Sequence, residues 1–333
     1  MEVSGFKKIV IKSPTRVDLA GGTLDLWPLY SFTGPCKTIN VAISIWTEVE
    51  LTPSAAADIE IESTDVGLKA RFNNLQELLA STDPKLTLFQ PILNYFQPHQ
   101  GFSLKTRSES PVGGGLGGSS SLTISLLKAF SQWQSKPWNS VHHMVHVAHN
   151  LEAKILSTPT GTQDYYPAAS GGLNILSYDS DGITQEVRPL KGSAIEKAFL
   201  LIYTGRSHHS GLNNFEVLKS AVGRDHRVLS ALKDLQKVSS DMVQTLKKKS
   251  FGDMPALFQR EYQARVQLTP AFTSPEIEKL RDISASHGSV AKICGAGGGG
   301  CVLVWAPEHK QKVAEECQRA GFQVMNANLI DPL

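Results

Sequence analysis

Pro111-Val-Gly-Gly-Gly-Leu-Gly-Gly-Ser-Ser-Ser121 is the most informative segment of this 333-residue chain. Before it, Phe102-Ser-Leu-Lys-Thr106 alternates apolar and polar residues as a strand does. After it, apolar residues recur at helical spacing, at Leu122, Leu126, Leu127 and Phe130. Backbone amides can converge on a phosphate only where no Cβ blocks the approach, and a helix N-terminus adds unpaired N–H groups. The order of strand, glycine run and helix therefore predicts an anion-binding loop.

A flexible linker and a dinucleotide-binding loop are the alternatives to a nucleotide-triphosphate loop. A linker would be polar throughout, whereas this segment lies between a strand and an amphipathic helix. The spacing Gly113-x-Gly115-x-x-Gly118 matches the dinucleotide fingerprint, which requires an acidic residue about 20 positions further on. No Asp or Glu occurs between Glu109 and Glu152. The sequence therefore favours a nucleotide triphosphate.

The loop is not of the Walker type, because no Gly-Lys-Ser/Thr follows the glycines. Without that lysine, the phosphate charge would be neutralised by Mg²⁺, by other basic side chains and by the helix N-terminus. A hydroxyl of Ser119 or Ser120 would then lie near both a β-phosphate and the metal ion. We therefore expect a nucleotide triphosphate and Mg²⁺ to bind here.

Charge and composition exclude several classes of protein. The chain has 33 basic and 31 acidic residues, a net charge of +2, without the basic excess typical of nucleic-acid binders. With 41% apolar and 19% charged residues, it has the composition of a folded globular protein. The chain contains no uninterrupted run of about 18 apolar residues, so we expect no membrane span. The first residues lack a signal-peptide pattern and the four cysteines form no CxxC pair, so we expect a cytoplasmic protein with reduced thiols.

A chain of 333 residues is long for a single core, so we predict two domains, at 1–190 and 195–333, with the boundary near Leu190-Lys-Gly-Ser193. The first domain is predicted to contain a half-solvated sheet with strands at 8–12, 43–51, 58–63 and 102–106. Two helices are predicted, one beginning at Ser119–Ser121 and one at 141–156, and a long loop follows at 157–172. The second domain is predicted to contain strands at 198–203, 290–293, 301–305 and 322–326, helices across 212–265, 275–287 and 309–320, and a glycine turn at 295–300.

Three separated motifs resemble those of the GHMP kinase family, which includes galactokinase and the homoserine, mevalonate, phosphomevalonate and heptose kinases. They are Ser13-Pro-Thr-Arg-Val-Asp-Leu-Ala-Gly-Gly-Thr-Leu-Asp25, the P-x-G-x-G-L-G segment at 111–120, and Lys292-Ile-Cys-Gly-Ala-Gly-Gly-Gly-Gly-Cys301. The resemblance implies an α+β fold of two domains, an N-terminal nucleotide-binding domain and a C-terminal ferredoxin-like domain, with the active site between them. It also implies ATP, Mg²⁺ and transfer of the γ-phosphoryl group to a hydroxyl.

The resemblance also implies roles for individual residues. Asp164 corresponds to the proposed catalytic base and Arg16 to its basic partner, while Ser119 and Glu152 correspond to metal-binding residues. The residues expected to bind the nucleotide are Pro111, Gly113, Gly114, Gly115, Leu116, Gly117, Gly118, Ser119 and Ser120. Gly118 stands where relatives usually carry Ser or Thr. For the substrate we expect Gly21, Gly22, Thr23, Asp25, Arg206, Gly297 and Gly298.

Plainer roles are available for several of these residues. Asp164 could form an Asx turn, Arg16 could pair with a surface carboxylate, and Gly295–Gly300 could be a tight turn. Arg206, His208 and His209 could bind an anionic group of the substrate or form an exposed loop. A second histidine set shares one helical face (His142, His146 and His149), but a zinc site would need further ligands. We expect these to be surface or interface histidines.

Within the family, three short segments look most like the sugar-phosphate branch typified by D-glycero-D-manno-heptose 7-phosphate kinase: Leu19–Gly22, Gly161–Asp164 and Tyr203–Arg206. The resemblance therefore implies a kinase that acts on a small sugar or sugar phosphate, as a monomer or homodimer. Thr23-Leu24-Asp25 departs from the usual Gly-Thr-Asp of that branch. A mevalonate- or galactose-type kinase and a non-catalytic nucleotide sensor are the alternatives.

Overall fold

The computed structural model describes residues 7–190, 193–207, 210–295 and 297–333. Its strands are β1 (Ile9–Ala20), β2 (Cys36–Pro53), β3 (Ile59–Ser63), β4 (Leu68–Phe72), β5 (Phe102–Ser108), β6 (Leu173–Asp179), β7 (Gly182–Arg188), β8 (Phe199–Tyr203), β9 (Val290–Ile293), β10 (Cys301–Trp305) and β11 (Gln323–Met325).

The helices are α1 (Leu29–Thr33), α2 (Leu75–Ala80), α3 (Phe89–Phe96), α4 (Gly118–Trp133), α5 (Val141–Leu156), α6 (Tyr165–Ser170), α7 (Ala194–Ala198), α8 (Ser210–Val222), α9 (His226–Lys248), α10 (Met254–Leu268), α11 (Pro275–Ser286) and α12 (Lys310–Arg319). Among these described helices, none is both long and apolar enough to cross a bilayer.

β2 is the central strand of a seven-stranded sheet. Six strands follow the order β4-β3-β5-β2-β6-β7, and the seventh, β1, pairs with β2. The 18 residues of β2 are long enough to pair with β6 near one end and with β5 near the other, both antiparallel. The strands predicted at 8–12, 43–51, 58–63 and 102–106 all lie in this sheet, as β1, β2, β3 and β5. The predicted sheet of the first domain is therefore confirmed.

β8 to β11 form a second, antiparallel sheet in the order β11-β8-β10-β9. Along the chain its elements run strand, helices, strand, strand, helix, strand, which is the ferredoxin-like arrangement. The four strands predicted in the second domain correspond to β8 to β11 within one or two residues. The predicted C-terminal ferredoxin-like fold is therefore confirmed.

α4 starts where the sequence predicts a helix, but its serines do not cap it. The N-cap is Gly117, which has a left-handed backbone and no side-chain cap, and the helix begins at Gly118. Ser121 instead lies inside the first turn and donates its hydroxyl to the carbonyl of Ser13 at 3.0 Å. Thr47 of β2 contacts the same Ser121 hydroxyl at 2.8 Å. These buried hydroxyls fix the helix on the β1–β2 pair and leave its first amides open.

The predicted loop at 157–172 contains a short helix, α6, which periodicity could not reveal in six residues. The end of the chain also departs from a simple division into 1–190 and 195–333. Ile330 exchanges backbone hydrogen bonds with Ala42 and Gly172 of the first half, each at 3.0 Å. One buried apolar cluster likewise contains residues of both sheets, such as Val17 and Trp305. The boundary remains a prediction, and its residues 191–192 lie outside the described ranges.

Four buried charges connect β1 with the second sheet. Asp18 of β1 accepts hydrogen bonds at Oδ2 from Lys292 at 2.8 Å and from Arg265 at 3.0 Å. Glu261 lies one helical turn before Arg265 and pairs with it at 2.8 Å and with Lys292 at 3.3 Å. All four side chains are at most 1% exposed, and two negative charges balance two positive ones. A neutral, hydrogen-bonded cluster therefore connects β1 with β9 and α10.

We expect Asp18→Asn to lower the free energy of unfolding by about 3–5 kcal/mol, because it leaves the buried cations short of one negative charge. Asp58→Asn is the control: Asp58 pairs at 2.8 Å with an Arg71 that is 69% exposed, so its loss should cost less than about 1 kcal/mol. Urea unfolding at pH 7.5 measures both. Equal effects of the two variants would contradict the role given to the cluster.

The same cluster sets a pH dependence. Burial opposes ionisation of Asp18, but Lys292 and Arg265 outweigh it and hold its pKa well below the usual range. Asp18 therefore stabilises the fold above the unfolded-state pKa of about 3.9, and this contribution is lost as the pH falls toward the folded-state value. The deficit of Asp18→Asn relative to wild type should shrink below about pH 4, as measured by urea unfolding at several pH values.

Candidate active site

A cavity of about 610 Å³ is lined by residues of all three motifs, a volume in the usual range for small-molecule sites. The glycine segment contributes every residue predicted to bind nucleotide: Pro111, Gly113, Gly114, Gly115, Leu116, Gly117, Gly118, Ser119 and Ser120. The first motif contributes Arg16, Thr23 and Asp25, and the third contributes Gly295. Glu152 and Asp164 complete the set. The structure thus brings the predicted catalytic, metal-binding and nucleotide-binding residues together.

The backbone of the glycine segment forms a concave surface of amides. Gly113, Gly115 and Gly117 have φ of +66°, +71° and +70°, and the residues between them have no positive φ. Alternation of left-handed and ordinary backbone turns successive N–H groups toward one side, which is how backbone anion sites are built. Glycine is required at the left-handed positions because a Cβ would be strained there.

The carbonyl groups of this loop are bound on its protein side. Cys301 donates its N–H to the carbonyl of Gly114 at 2.8 Å. Arg16 donates its N–H to the carbonyl of Leu116 at 3.0 Å and its Nη1 to that of Gly115 at 2.5 Å. Because C=O and N–H point in opposite directions across a trans peptide, the three following amides point away from these partners. The loop therefore presents donors to the cavity.

The start of α4 adds further donors. The first amides of any helix lack an intrahelical acceptor and lie at the positive end of the helix dipole. Here no side chain caps them either, so they remain available to a ligand. Ser119 is exposed at this point and Ser120 is buried. A Cβ at Gly118 would lie 2.9 Å from the Cβ of Ser110, so the Ser110 side chain occupies the space that a larger residue at 118 would need.

Arg16 and Asp164 form a nearly buried ion pair beside the glycine loop. Nε and Nη2 of Arg16 lie 2.7 and 2.6 Å from Oδ1 of Asp164. The Asp164 side chain is 24% exposed and makes no helix-capping hydrogen bond, so the plainer Asx-turn role is not what the structure has. Its Oδ2 lies on the Gly117 side, 3.1 Å from where a Cβ of that glycine would be. Arg16 thus orients one oxygen and leaves the other facing the loop.

Glu152 of α5 lies behind the helix start and is 9% exposed. Its Oε2 accepts hydrogen bonds from the hydroxyls of Tyr165 and of Thr160, the latter at 3.2 Å. Its Oε1 contacts the Ser120 hydroxyl at 3.5 Å. Burial raises the pKa of Glu152, while hydrogen bonds from Tyr165, Thr160 and Ser119 oppose that rise. With one oxygen saturated and the other near the serines, the carboxylate is suited to binding a cation together with Ser119.

Asp25 is the other acidic residue at the predicted substrate end. It is 2% exposed, and its Oδ2 accepts the N–H of Gln163 at 3.0 Å. Gly161 packs directly on it, since a Cβ there would lie 2.0 Å from Oδ2. Burial raises the pKa of Asp25 to about 6. The carboxyl group is therefore held rigidly at the cavity wall and is close to its protonation midpoint at mildly acidic pH.

Five residues predicted to bind substrate pack elsewhere. Gly21 and Gly22 leave room for the Lys37 carbonyl and the Arg265 guanidinium, which would lie 2.1 and 1.9 Å from an added Cβ. Gly297 and Gly298 similarly accommodate the carbonyls of Phe272 and Ala271. These glycines allow close backbone packing and do not line the cavity, unlike Gly295.

Arg206 is the fifth of these residues. Its side chain is 59% exposed and pairs with Glu276 at 3.5 Å, while its carbonyl accepts the N–H of Gly300 at 2.7 Å. It therefore supports the glycine turn and is absent from the described cavity wall. His208 and His209, named with it in the sequence, lie outside the described residues.

The histidines of α5 have ordinary partners. His142 Nδ1 contacts the Tyr166 hydroxyl at 2.9 Å, and His149 Nε2 contacts the carbonyl of Thr160 at 2.8 Å. His146 Nε2 contacts an amide one turn further along the helix. Across the described ranges, no group of three or more His, Cys, Asp or Glu side chains could hold a metal ion by itself. All four cysteines are free and buried.

Comparison with known families identifies the class of protein. The family model for GHMP kinases N-terminal domains matches residues 86–172, and the model for GHMP kinases C-terminal domains matches residues 242–323. Together they cover half of the chain, the first model within its N-terminal half and the second within its C-terminal half. The chain belongs to the GHMP kinase family, and its class is therefore that of ATP-dependent small-molecule kinases.

Three individual proteins illustrate the similarity. The D-glycero-alpha-D-manno-heptose 7-phosphate kinase of Campylobacter jejuni is 26% identical over 319 residues, 92% of this chain and 91% of its own length. The mevalonate kinase of Methanocaldococcus jannaschii is 24% identical, covering 97% of this chain and 100% of its own. The crystal structure of a D-glycero-D-manno-heptose 1-phosphate kinase from Bacteroides thetaiotaomicron superposes with a TM-score of 0.76 at 21% identity, covering 98% and 97% of the two chains.

Sequence reasoning missed the residues that hold the site in place. Asp18 and Lys292 lie within the motifs but the motifs assign them no role, and the sequence indicates only a helix for Glu261 and Arg265. An Arg four residues after a Glu reads equally well as an exposed helix pair. Tyr165 was also missed. Its signal was its position directly after Asp164, but only the fold brings its hydroxyl to Glu152.

We expect Gly117→Ala to weaken ATP binding by about 10- to 100-fold, because the new Cβ would lie 3.1 Å from the Asp164 carboxyl group and would disturb the amide surface. Gly288→Ala is the matched control, with φ of +66° and no atom within 4 Å of the new Cβ. Both carry a similar backbone cost of about 1–2 kcal/mol. Calorimetric titration with ATP tests this, and equal ATP affinity in the two variants would be inconsistent with the loop's role.

The raised pKa of Asp25 predicts that Asp25→Asn stabilises the protein at pH 7.5. A carboxyl with a folded-state pKa of about 6 against an unfolded-state pKa of about 3.9 costs up to about 3 kcal/mol once it is ionised. That cost is absent below both pKa values and complete above both, so the advantage of Asp25→Asn should disappear near pH 4. Urea unfolding at both pH values measures it, with Asp181→Asn, at an exposed aspartate, as the control. A variant that is less stable than wild type at pH 7.5 would refute the assignment.

Proposed function

We propose that this protein transfers the γ-phosphoryl group of ATP to a hydroxyl of a sugar or sugar phosphate, as heptose 7-phosphate kinases do. The observation that carries the proposal is the contact between the amide-lined glycine loop and the Arg16–Asp164 pair in a single cavity. A phosphoryl group on the loop would lie beside a carboxylate oriented by a fixed cation. Phosphoryl transfer needs mainly such positioning and charge stabilisation.

The nucleoside would lie against apolar side chains in the wall of the cavity. Val66, Val112 and Leu156 line the cavity and are 42%, 69% and 45% exposed, so they present apolar surface to it. A purine ring would cover this apolar surface while the phosphates meet the amides of the loop. These side chains therefore support a site for the base in the same cavity as the loop.

Asp164 would orient the acceptor hydroxyl and take its proton. Oδ1 is occupied by Arg16, which leaves Oδ2 for the substrate. Arg16 would hold the carboxylate in position, and its charge together with the amides of the loop would stabilise the negative charge on the transferred group. Thr23 and Asp25 would accept or donate hydrogen bonds to other hydroxyls of the acceptor.

Ser119 and Glu152 would hold Mg²⁺ together with the nucleotide. The fit rests on the exposed Ser119 hydroxyl and on Glu152 Oε1, whose contact with Ser120 is a long one at 3.5 Å. When bound, the ion supplies charge neutralisation for the β- and γ-phosphates.

The sugar-phosphate class is supported by the Campylobacter jejuni relative, which matches over 91% of its length. Mevalonate kinase of Methanocaldococcus jannaschii matches at nearly the same identity, so a mevalonate-type acceptor is the second candidate. ADP release measured with heptose 7-phosphate, mannose, galactose and mevalonate distinguishes them. We expect activity with a sugar or sugar phosphate. Activity with mevalonate alone would refute the sugar class, and ATP binding without ADP release on any alcohol would indicate a sensor.

We expect Asp164→Asn to lower kcat by about 10²- to 10⁴-fold, because the amide cannot take the proton of the acceptor hydroxyl. ATP affinity should change little, since the side chain faces the acceptor and the loop amides remain. Asp181→Asn serves as the surface control. Steady-state ADP release and an ATP titration give the two numbers, and turnover within a few-fold of wild type would remove Asp164 from the mechanism.

A further inference from the structure

Tyr165 connects the two carboxylates of the proposed site. It directly follows Asp164 as the first residue of α6, it is fully buried, and its hydroxyl donates to Oε2 of Glu152 on α5. Thr160 supplies a second donor to the same oxygen at 3.2 Å. Oε2 is therefore fully occupied by the protein.

The other oxygen of Glu152 has a different environment. Oε1 has a long contact of 3.5 Å with the Ser120 hydroxyl, at the start of α4. A carboxylate that is anchored through one oxygen cannot rotate freely about its terminal bond, so the second oxygen keeps a fixed direction. Here that direction is toward the serines that follow the glycine loop.

We propose that Tyr165 is a positioning residue that fixes Glu152 so that Oε1 meets the metal–nucleotide complex. The inference rests on the proposed function, because it assumes that Glu152 and Ser119 bind the cation that accompanies ATP. Hydrogen bonds behind a metal ligand orient it, and their loss typically costs 10- to 100-fold in metal affinity. Because Asp164 and Tyr165 are adjacent, the same turn of chain sets the direction of the acceptor-side and the metal-side carboxylate.

A purely structural role for this tyrosine is the competing explanation, and the chain contains a matched control for it. Tyr166 is the next residue, is 1% exposed and also has its hydroxyl in a hydrogen bond, to Nδ1 of His142 at 2.9 Å. Neither Tyr166 nor His142 is part of the described cavity wall. Tyr165→Phe and Tyr166→Phe therefore each remove one buried hydroxyl, and only the first contacts Glu152.

The experiment compares ATP binding with and without Mg²⁺ by calorimetric titration. In Tyr165→Phe, the increase in ATP affinity produced by Mg²⁺ should fall about 10- to 100-fold relative to wild type, while ATP affinity without metal stays within about two-fold. Tyr166→Phe should keep the wild-type values in both conditions. In steady-state assays, the Mg²⁺ concentration that gives half-maximal ADP release should rise for Tyr165→Phe only.

Thr160→Val provides a second variant if Tyr165→Phe does not fold, because it removes the other donor to Oε2 and should shift the Mg²⁺ dependence in the same direction. Equal Mg²⁺ dependence in Tyr165→Phe, Tyr166→Phe and wild type would overturn the positioning role. So would an equal loss of ATP affinity with and without metal. A wild-type protein whose ATP binding does not respond to Mg²⁺, or that releases no ADP with any alcohol, would instead refute the proposed function.

Discussion

The hydrogen-bonded cluster of Asp18, Glu261, Arg265 and Lys292 is the interaction on which the rest of the arrangement depends. Burying four charges is expensive, and replacing such a cluster by apolar residues often costs a protein nothing in stability. Its contribution here is positional. Asp18 also accepts the N–H of Gly295 at 3.1 Å, so the cluster determines where the third motif meets the first. Because any lost partner would leave a buried charge unpaired, the cluster favours the relative position of the two sheets in which all four side chains are paired.

That position is what creates the site. Residues two apart in a strand point to the same side, so Arg16 and Asp18 of β1 face the same way. Asp18 binds the second sheet, while Arg16 binds both the glycine loop and Asp164. Gly295 packs closely against Gly115, since a Cβ added to Gly295 would lie 2.9 Å from the Cα atom of Gly115. One strand thus aligns the glycine loop, the Asp164 carboxylate and the third motif, and the catalysis that we propose requires this alignment.

Sequence reasoning predicted the parts of this architecture that have a local cause. Strand alternation, the helix after Ser121 and the glycine loop are each encoded within about ten neighbouring residues, and the family resemblance supplied Arg16 and Asp164. It did not predict contacts between distant segments. The resemblance implies that Gly22 and Gly297 bind substrate, but sequence cannot say whether a ligand or another part of the chain approaches a glycine. Tyr165 and Arg265 read as ordinary core and helix residues, since their partners are found only by folding.

The central claim is that the amides of 113–120 hold the phosphates of ATP, with the γ-phosphoryl group directed at Asp164. A crystal structure with a non-hydrolysable ATP analogue and Mg²⁺ tests it most directly. We predict the phosphates against the glycine loop, the cation between Ser119 and Glu152, and the terminal phosphoryl group on the Asp164 side of Gly117. A nucleotide bound elsewhere, or with its terminal phosphate directed away from Asp164, would contradict the account.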